Sequence, residues 1–451
     1  MEDTIVAIAT PLGTGAISII KISGSEAIEI VSKVFKGKNL NKQKSHTIHY
    51  GFIMDEKEKI DEVLVSLFLA PKTYTKEDIV EINCHGGIAT TNRILEVIIK
   101  AGARFAEPGE FTKRAYLNGR IDLIEAEGVM DLIEAKTDKM RKVALNQLDG
   151  NLSKKINELR ENIKAILANI EVNIDYPEYE DEILITNKMI KEQMKIINTK
   201  IVKIVSASQQ GKIIKEGIKV LILGKPNVGK SSILNKLLNE NKAIVTNIPG
   251  TTRDIVEGTI NIEGILFKIT DTAGIRKTNN LVEKIGVKKS VELISESDLI
   301  IYTIEKSKEL DEEDIKIIKK IKNKPKIIFL NKNDSKIKSK EIKLKNEIIV
   351  EGNTIEEDGL KDLKEKIINL FKLDKLEEKD FNFLTNSNQI ALLKKIVSIS
   401  KNIDKKLEEN FPIDIIEIDI KEIFNILGFI IGENSDQEII NYIFKNFCLG
   451  K

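Results

Sequence analysis

Ile218-Lys219-Val220-Leu221-Ile222-Leu223 runs without a break into Gly224-Lys225-Pro226-Asn227-Val228-Gly229-Lys230-Ser231. The first six residues form an apolar run of strand length, and the next eight fit GxxxxGK[ST]. Glycines at 224 and 229 let backbone N–H groups close around phosphate oxygens. Lys230 can reach the β and γ oxygens, and Ser231 offers a hydroxyl to Mg²⁺. A helix expected from about 231 to 238 would point its N-terminal dipole at the same anion. An incidental lysine after a glycine turn is the plainer alternative, but the strand-loop-helix context disfavours it.

Two further segments complete a nucleotide site in chain order. Asp271-Thr272-Ala273-Gly274 follows an expected strand over 266–270; its carboxylate can hold the Mg²⁺ shell through water, and the Gly274 amide can approach a γ-phosphate. Asn331-Lys332-Asn333-Asp334 follows an expected strand over 326–330. The Asp334 carboxylate can accept two N–H donors that guanine offers and adenine does not. Between the phosphate loop and Asp271, the loop 243–254 carries Pro249-Gly250-Thr251-Thr252-Arg253-Asp254, a candidate switch whose threonine can complete the Mg²⁺ shell when γ-phosphate is present. After Gly274 stands Ile275, where Ras-like enzymes place a water-orienting glutamine. Isoleucine cannot polarise water, so hydrolysis must recruit a carboxylate or a cation from elsewhere.

Outward from this core, 451 residues suggest two or three domains. With 41% apolar and 31% charged residues, the composition is that of an ordinary folded chain. No stretch approaches the roughly 20 apolar residues of a membrane helix, and the start lacks a signal-peptide pattern, so the expected location is the cytoplasm. Two cysteines and three histidines make a disulfide framework or a zinc site improbable. A net charge of +1 leaves nucleic-acid binding to local patches.

Residues 1–118 mix β-type runs (17–22, 63–68) with Gly/Pro punctuation and read as an α/β or α+β domain. Residues 119–212 turn helical, with apolar positions at Ile156, Leu159, Ile163, Ile166, Leu167 and Ile170 and a break at Pro177. Residues 213–372 alternate strands (218–223, 257–262, 266–270, 299–304, 326–330) with helices such as 312–321, which implies a mainly parallel sheet covered on both faces. Residues 373–451 are helical again (389–407, 420–431, 437–447). The expected fold is therefore multidomain: an N-terminal α/β (α+β) domain, then an all-α helical domain interrupted by an inserted α/β P-loop domain.

Taken together, GKPNVGKS (224–231), PGTTRD (249–254), DTAGIR (271–276) and NKND (331–334) resemble the Era/MnmE branch of potassium-dependent GTPases. The segments 3–24, EINCHGG (81–87), PGEFTKRAYLNGRIDLIEAE (108–127) and the terminal Cys448-Leu449-Gly450-Lys451 are similar to the MnmE (TrmE) family of tRNA-modification GTPases, so the likeness spans residues 3–451. That resemblance implies a GTP hydrolase that works as a homodimer and in a heterotetramer with an MnmG-type flavoprotein. Together they add a (carboxymethyl)aminomethyl group at C5 of the wobble uridine of certain tRNAs.

The one-carbon donor would be 5-formyltetrahydrofolate or another tetrahydrofolate derivative, held by Lys21, Glu81, Arg120 and Lys451. Lys21 stands where an arginine occurs in family members, which weakens the case for a bidentate contact. The GTP-binding set would be Gly224, Asn227, Val228, Gly229, Lys230, Ser231, Ser232, Thr246, Asn247, Ile248, Pro249, Gly250, Thr251, Thr252, Asp271, Thr272, Ala273, Gly274, Asn331, Lys332 and Asp334. Within it, Ser231 and Thr252 would hold Mg²⁺, while Asn227, Thr246, Ile248 and Thr251 would hold K⁺. Catalysis would fall to Lys230, Thr252 and Glu283, the last in LVEKIG (281–286), as the water-positioning carboxylate.

Several residues stay open. Cys448 and Cys84 are as readily buried structural thiols as nucleophiles, and His85 is either a lining residue of the folate pocket or a turn histidine. Ile348–Asn353 replaces the Ser-Ala segment that normally backs the guanine. A ribosome-assembly GTPase of the Era or EngA kind, or a regulatory switch, is the alternative; no KH-type pattern and no second phosphate loop occurs.

Overall fold

The computed structural model describes residues 3–175, 187–240, 258–271, 292–333, 347–371, 382–433, 437–445, 447 and 450. These fall into two compact units, one of residues 1–130, 148–187 and 405–451, the other of 131–147 and 188–404.

The first unit is built on β1 (Ile5–Ile8), β2 (Ile17–Ser23), β3 (Phe35–Gly37), β4 (Thr47–Asp55), β5 (Glu58–Phe68), β6 (Ile79–His85) and β7 (Arg104–Phe105). They pair in the order β3-β4-β5-β6-β2-β1-β7, antiparallel except β1 with β7. The period of two along β2, β5 and β6 sends Ile20, Ile22, Val65, Val80 and Ile82 to one face. There they pack on α1 (Ala27–Val34) and α2 (Ile88–Lys100) through Ile30, Val31, Ile94 and Ile98.

The chain then enters α3 (Glu110–Leu117), whose Arg114 is 1% exposed and held by Asp3, Glu77 and Glu110. A cation so buried persists because three carboxylates surround it. Gly109, at φ +69°, begins α3 where a Cβ would lie 2.4 Å from the Phe444 carbonyl oxygen.

The helices α4 (Leu123–Glu134) and α6 (Asn151–Asp175) follow, with α5 (Asp138–Leu148) between them, and the later helices α12 (Ile413–Ile431) and α13 (Gln437–Phe444) return to this unit. Arg160 of α6 lies over the Phe424 ring of α12 at 4.4 Å and ion-pairs with Glu433. Ile440, Phe444 and Phe447 pack on Ala126 and Met130. Beyond them Gly450 reaches β1, where a Cβ would come 2.7 Å from the Ile8 carbonyl oxygen.

The second unit carries β8 (Ile218–Gly224), β9 (Gly258–Ile262), β10 (Ile265–Asp271), β11 (Leu299–Glu305), β12 (Lys326–Asn331) and β13 (Ile349–Glu351) in the order β13-β12-β11-β8-β10-β9. All neighbours are parallel except the β9–β10 hairpin. Both faces are covered, which is why the strands read as continuous apolar runs. Ile218, Val220 and Ile222 pack in one cluster with residues of α8 (Lys230–Glu240) and α10 (Lys361–Leu370). Leu221, Ile300 and Tyr302 pack in the other with Ile318 of α9 (Glu312–Lys320).

Helices α5, α7 (Asn187–Glu216) and α11 (Ser387–Glu408) flank the chain's entry to and return from the sheet. Lys215, just before β8, pairs with buried Asp131 at 2.6 Å, and Thr385 donates to the same carboxylate at 2.7 Å. The expected multidomain fold, with its inserted mainly parallel sheet, is the one observed.

Candidate functional site

The nucleotide site grows from the end of β8, between β11 and β10 in the sheet. Gly224 turns at φ +151°, and its missing Cβ lets the backbone pass the Thr303 carbonyl, which a Cβ would meet at 2.4 Å. Asn227 (φ +64°) and Gly229 (φ +96°) complete the curl, and asparagine tolerates the left-handed region better than most residues. Val228 is buried beneath it, and α8 starts at Lys230, so Ser231 and Ser232 lie in the first helical turn. Lys230 is 8% exposed and its Nζ donates to the Lys225 carbonyl at 2.7 Å, back across the loop.

The end of β12 closes on this loop. Asn331, buried, donates from Nδ2 to the Val228 carbonyl at 2.8 Å, in the space that a Cβ on Gly229 would fill. Lys332 (φ +63°) donates to the Asn227 carbonyl at 3.3 Å and pairs with Glu305 at 3.2 Å. The phosphate loop and the expected base-reading segment are thus one hydrogen-bonded body.

The departure at Ile348–Asn353 does not remove the neighbouring loop. Ile349–Glu351 pairs with β12, the Gly352 N–H donates to Leu330 O at 3.0 Å, and Asn333 N–H donates to Gly352 O at 3.2 Å. Buried Asn353 donates to Asn333 Oδ1 at 2.8 Å and accepts from the Ile355 and Glu356 amides at 3.0 and 2.7 Å. Sequence reading missed Asn353 as a brace, because its partners are set by tertiary pairing and carry no local pattern.

Asp271 ends β10 in register with Ile222. Thr246, Asn247, Ile248, Pro249, Gly250, Thr251 and Thr252, then Thr272, Ala273, Gly274, Glu283 and Asp334, lie outside the described residues, as do Cys448 and Lys451.

A second site lies on the first unit's sheet. Lys21 and Glu81 face each other in the β2–β6 register, 3.8 Å apart as an ion pair. They line a cleft of about 430 Å³ with His46, Phe68, Tyr74 and Arg120. Lys21 Nζ stands 4.9 Å from the Tyr74 ring centre and the Arg120 guanidinium 4.8 Å from it. Tyr74 hydrogen-bonds Thr112 at 2.9 Å, and its burial raises the phenol's pKa above the ordinary value. Lys76 donates to the Asn118 and Gly119 carbonyls at 3.0 and 2.9 Å, fixing the turn that presents Arg120.

Three of the four expected folate residues are therefore brought together. His85 is not among the residues lining the cleft: its Nδ1 and backbone N–H both engage Asp61, at 2.7 and 2.8 Å. Cys84 is buried, with its thiol pushed up in pKa chiefly by that burial, an inert setting for a thiol.

Residues 123–448 match the family described as MnmE helical domain, and residues 4–120 match GTP-binding protein TrmE N-terminus. The chain belongs to the MnmE family. The tRNA modification GTPase MnmE of Lactococcus lactis subsp. lactis strain IL1403 is 47% identical over 449 residues, covering 100% of this chain and 98% of the relative. That of Bacillus subtilis strain 168 is 45% identical over 458 residues, covering 100% of both. In this MnmE-family chain the phosphate loop and the cleft belong to different compact units. Among the described residues no helix is long and apolar enough to cross a membrane, and none forms a His/Cys/Asp/Glu metal cluster.

Proposed function

We propose that this chain hydrolyses GTP and, with an MnmG-type flavoprotein, installs an aminomethyl-type group at C5 of the wobble uridine of certain tRNAs. The observation that carries this reading is one chain of MnmE descent holding both a braced phosphate loop and a cleft with a carboxylate, aromatic faces and several cations. In the first site, Lys230 contacts the β and γ phosphates, Ser231 and Thr252 hold Mg²⁺, and Asp334 reads guanine. Asn227, Thr246, Ile248 and Thr251 hold K⁺, whose charge balances what develops in the transition state, and Glu283 orients the water.

The cleft's chemistry fits a reduced folate. The Glu81 carboxylate suits the pterin's donor edge, the Phe68 and Tyr74 rings suit its faces, and Lys21, Arg120 and Lys451 suit a glutamyl tail. Arrival of Gly450 at Ile8 supports including Lys451. When bound, the folate supplies the one-carbon unit; the residues named here bind and orient it.

A homodimer is part of this reading. The sheet face that carries Lys21 and Glu81 continues into Ile17, Ile48, Tyr50 and Leu64, all exposed, with Tyr50 paired to Leu64 across β4 and β5. Exposed apolar side chains on a sheet face beside a ligand cleft suit a second copy of the chain. The four-part division at 1–118, 119–212, 213–372 and 373–451, and a cytoplasmic location, complete the proposal.

Nucleosides from tRNA of cells lacking this protein are expected to lose the modified wobble uridine, and to regain it with the wild-type gene but not with Lys230→Ala. Persistence of the modified nucleoside in the deletion strain would overturn the tRNA assignment and favour a ribosome-assembly or regulatory role. For the cation, purified protein is expected to hydrolyse GTP at least about tenfold faster in K⁺ than in Na⁺ at equal ionic strength. Equal rates in the two salts would remove K⁺ from the mechanism.

A further inference from the structure

We propose that Lys225, the second residue of the phosphate loop, is a positioning residue that aims Lys230 at the nucleotide's phosphates. This deepens the nucleotide-site reading above and rests on Lys230 being the phosphate-binding lysine.

The Lys225 side chain enters an ionic cluster. Its Nζ pairs with Asp311 and, at 2.9 Å, with Asp314. Asp314 is 5% exposed; its Oδ1 accepts from the Tyr302 hydroxyl at 2.7 Å, and its Oδ2 also accepts from the Asp311 N–H at 3.1 Å. Asp311 is the N-cap of α9, accepting from the Glu313 and Asp314 amides at 2.9 and 3.0 Å. Lys225 beside it holds the Asp311 carboxyl down to about 2. A solvated surface pair contributes little, but the Asp314 carboxylate is almost wholly enclosed and satisfied from three sides. Removing one partner of such a group leaves a buried charge uncompensated.

The backbone of the same residue does the second half of the work. The Lys225 carbonyl accepts from Lys230 Nζ at 2.7 Å. An ammonium has three donors, so one bond to this carbonyl is compatible with bonds to phosphate oxygens and fixes the direction of approach. The chain of restraint therefore runs from β11 (Tyr302) and α9 (Asp314, Asp311) through the Lys225 side chain to its carbonyl and on to Lys230. It also holds the entry to Asn227, whose left-handed backbone costs energy that neighbouring contacts must offset.

The test uses full-length protein and steady-state GTP hydrolysis with a fluorescent-GDP titration. Lys225→Met keeps the aliphatic stem and removes the charge. It is expected to raise KM for GTP and Kd for GDP about tenfold, about 1.4 kcal/mol, with kcat within about twofold. Lys225→Arg, whose fork also reaches carboxylates, is expected to recover most of that loss. Asp314→Asn combined with Lys225→Met should be less than additive. An unchanged KM in Lys225→Met, or a fall in kcat alone, overturns the proposal. If Lys225→Met does not fold, Asp311→Asn carries the test on the exposed partner, with about a threefold rise in KM expected and an unchanged KM overturning it. Lys230→Ala separates the two levels. Normal GDP binding by Lys230→Ala would remove the underlying reading of the site, whereas loss of binding there with normal binding in Lys225→Met removes only the role of Lys225.

Discussion

Alanine at position 230 is expected to weaken GTP and GDP binding by about 10²-fold and to lower kcat/KM for GTP hydrolysis by about 10³-fold or more. A hydrogen bond to a charged group contributes about 1.5–3 kcal/mol to binding. Donors aimed at developing charge in a transition state contribute about 10²–10³ in rate beyond that. Lys230 is buried at the first position of α8 with its ammonium returned across the loop to the Lys225 carbonyl. Alanine is the best helix former, so α8 itself should survive. The nucleotide-free protein should therefore keep its thermal midpoint while the midpoint shift on adding GDP disappears. A fluorescent-GDP titration and single-turnover hydrolysis measure the two effects. Turnover near wild type would return the loop to a plain strand-to-helix turn.

Much of the second unit is legible from residue order because its chemistry is local. A central parallel strand must be apolar on both faces, and 218–223 is nearly so. The glycines at 224 and 229 can be read as turns because the observed φ values of +151° and +96° admit few other residues. Boundaries shifted by a residue or two: the helix expected at 231–238 runs Lys230–Glu240, and the strand expected at 266–270 runs Ile265–Asp271. The larger miss is at the start of α12, expected at 420 and observed at Ile413. The stretch 413–418 is rich in β-branched isoleucine, which weakens a helical reading, and Pro412 supplies a start signal of a kind easily taken for a loop.

What local patterns do not carry is partnership across the fold. Tyr74 lies in the irregular segment between β5 and β6, where no period exists, yet its ring organises Lys21 and Arg120. Asn353 and Lys225 are similar: each is an ordinary polar residue in sequence, and each gains its role from side-chain partners distant in the chain, Asn333 for the first and Asp311 and Asp314 for the second. The opposite case is His85. It stands four residues beyond Glu81 on one strand, about 13 Å along it, and Asp61 holds it there, so a position that looked close to the cleft in sequence is distant in the sheet.

Glu283→Ala is expected to leave GTP and GDP affinity within about threefold of wild type and to slow single-turnover hydrolysis by about 10²–10³-fold. The hydrolytic water must be oriented and its proton accepted, and the residue after Gly274 is Ile275, which can do neither. A carboxylate elsewhere is the natural replacement, and by family resemblance we propose Glu283 as that group. K⁺ at the phosphate loop would take the charge-balancing part that an arginine finger plays in other GTPases. These two contributions act on different atoms, one on the water and one on the phosphoryl oxygens.

The variant should therefore retain its preference for K⁺ over Na⁺ at the reduced rate. A positional effect alone would change binding and turnover together. Glu283→Gln refines the test, since an amide can still orient water but cannot take its proton. Glutamine turnover close to wild type would assign Glu283 to orientation, and glutamine turnover as low as alanine would assign it to proton transfer. Unchanged turnover in alanine would place Glu283 among solvated surface carboxylates and leave the water to another group.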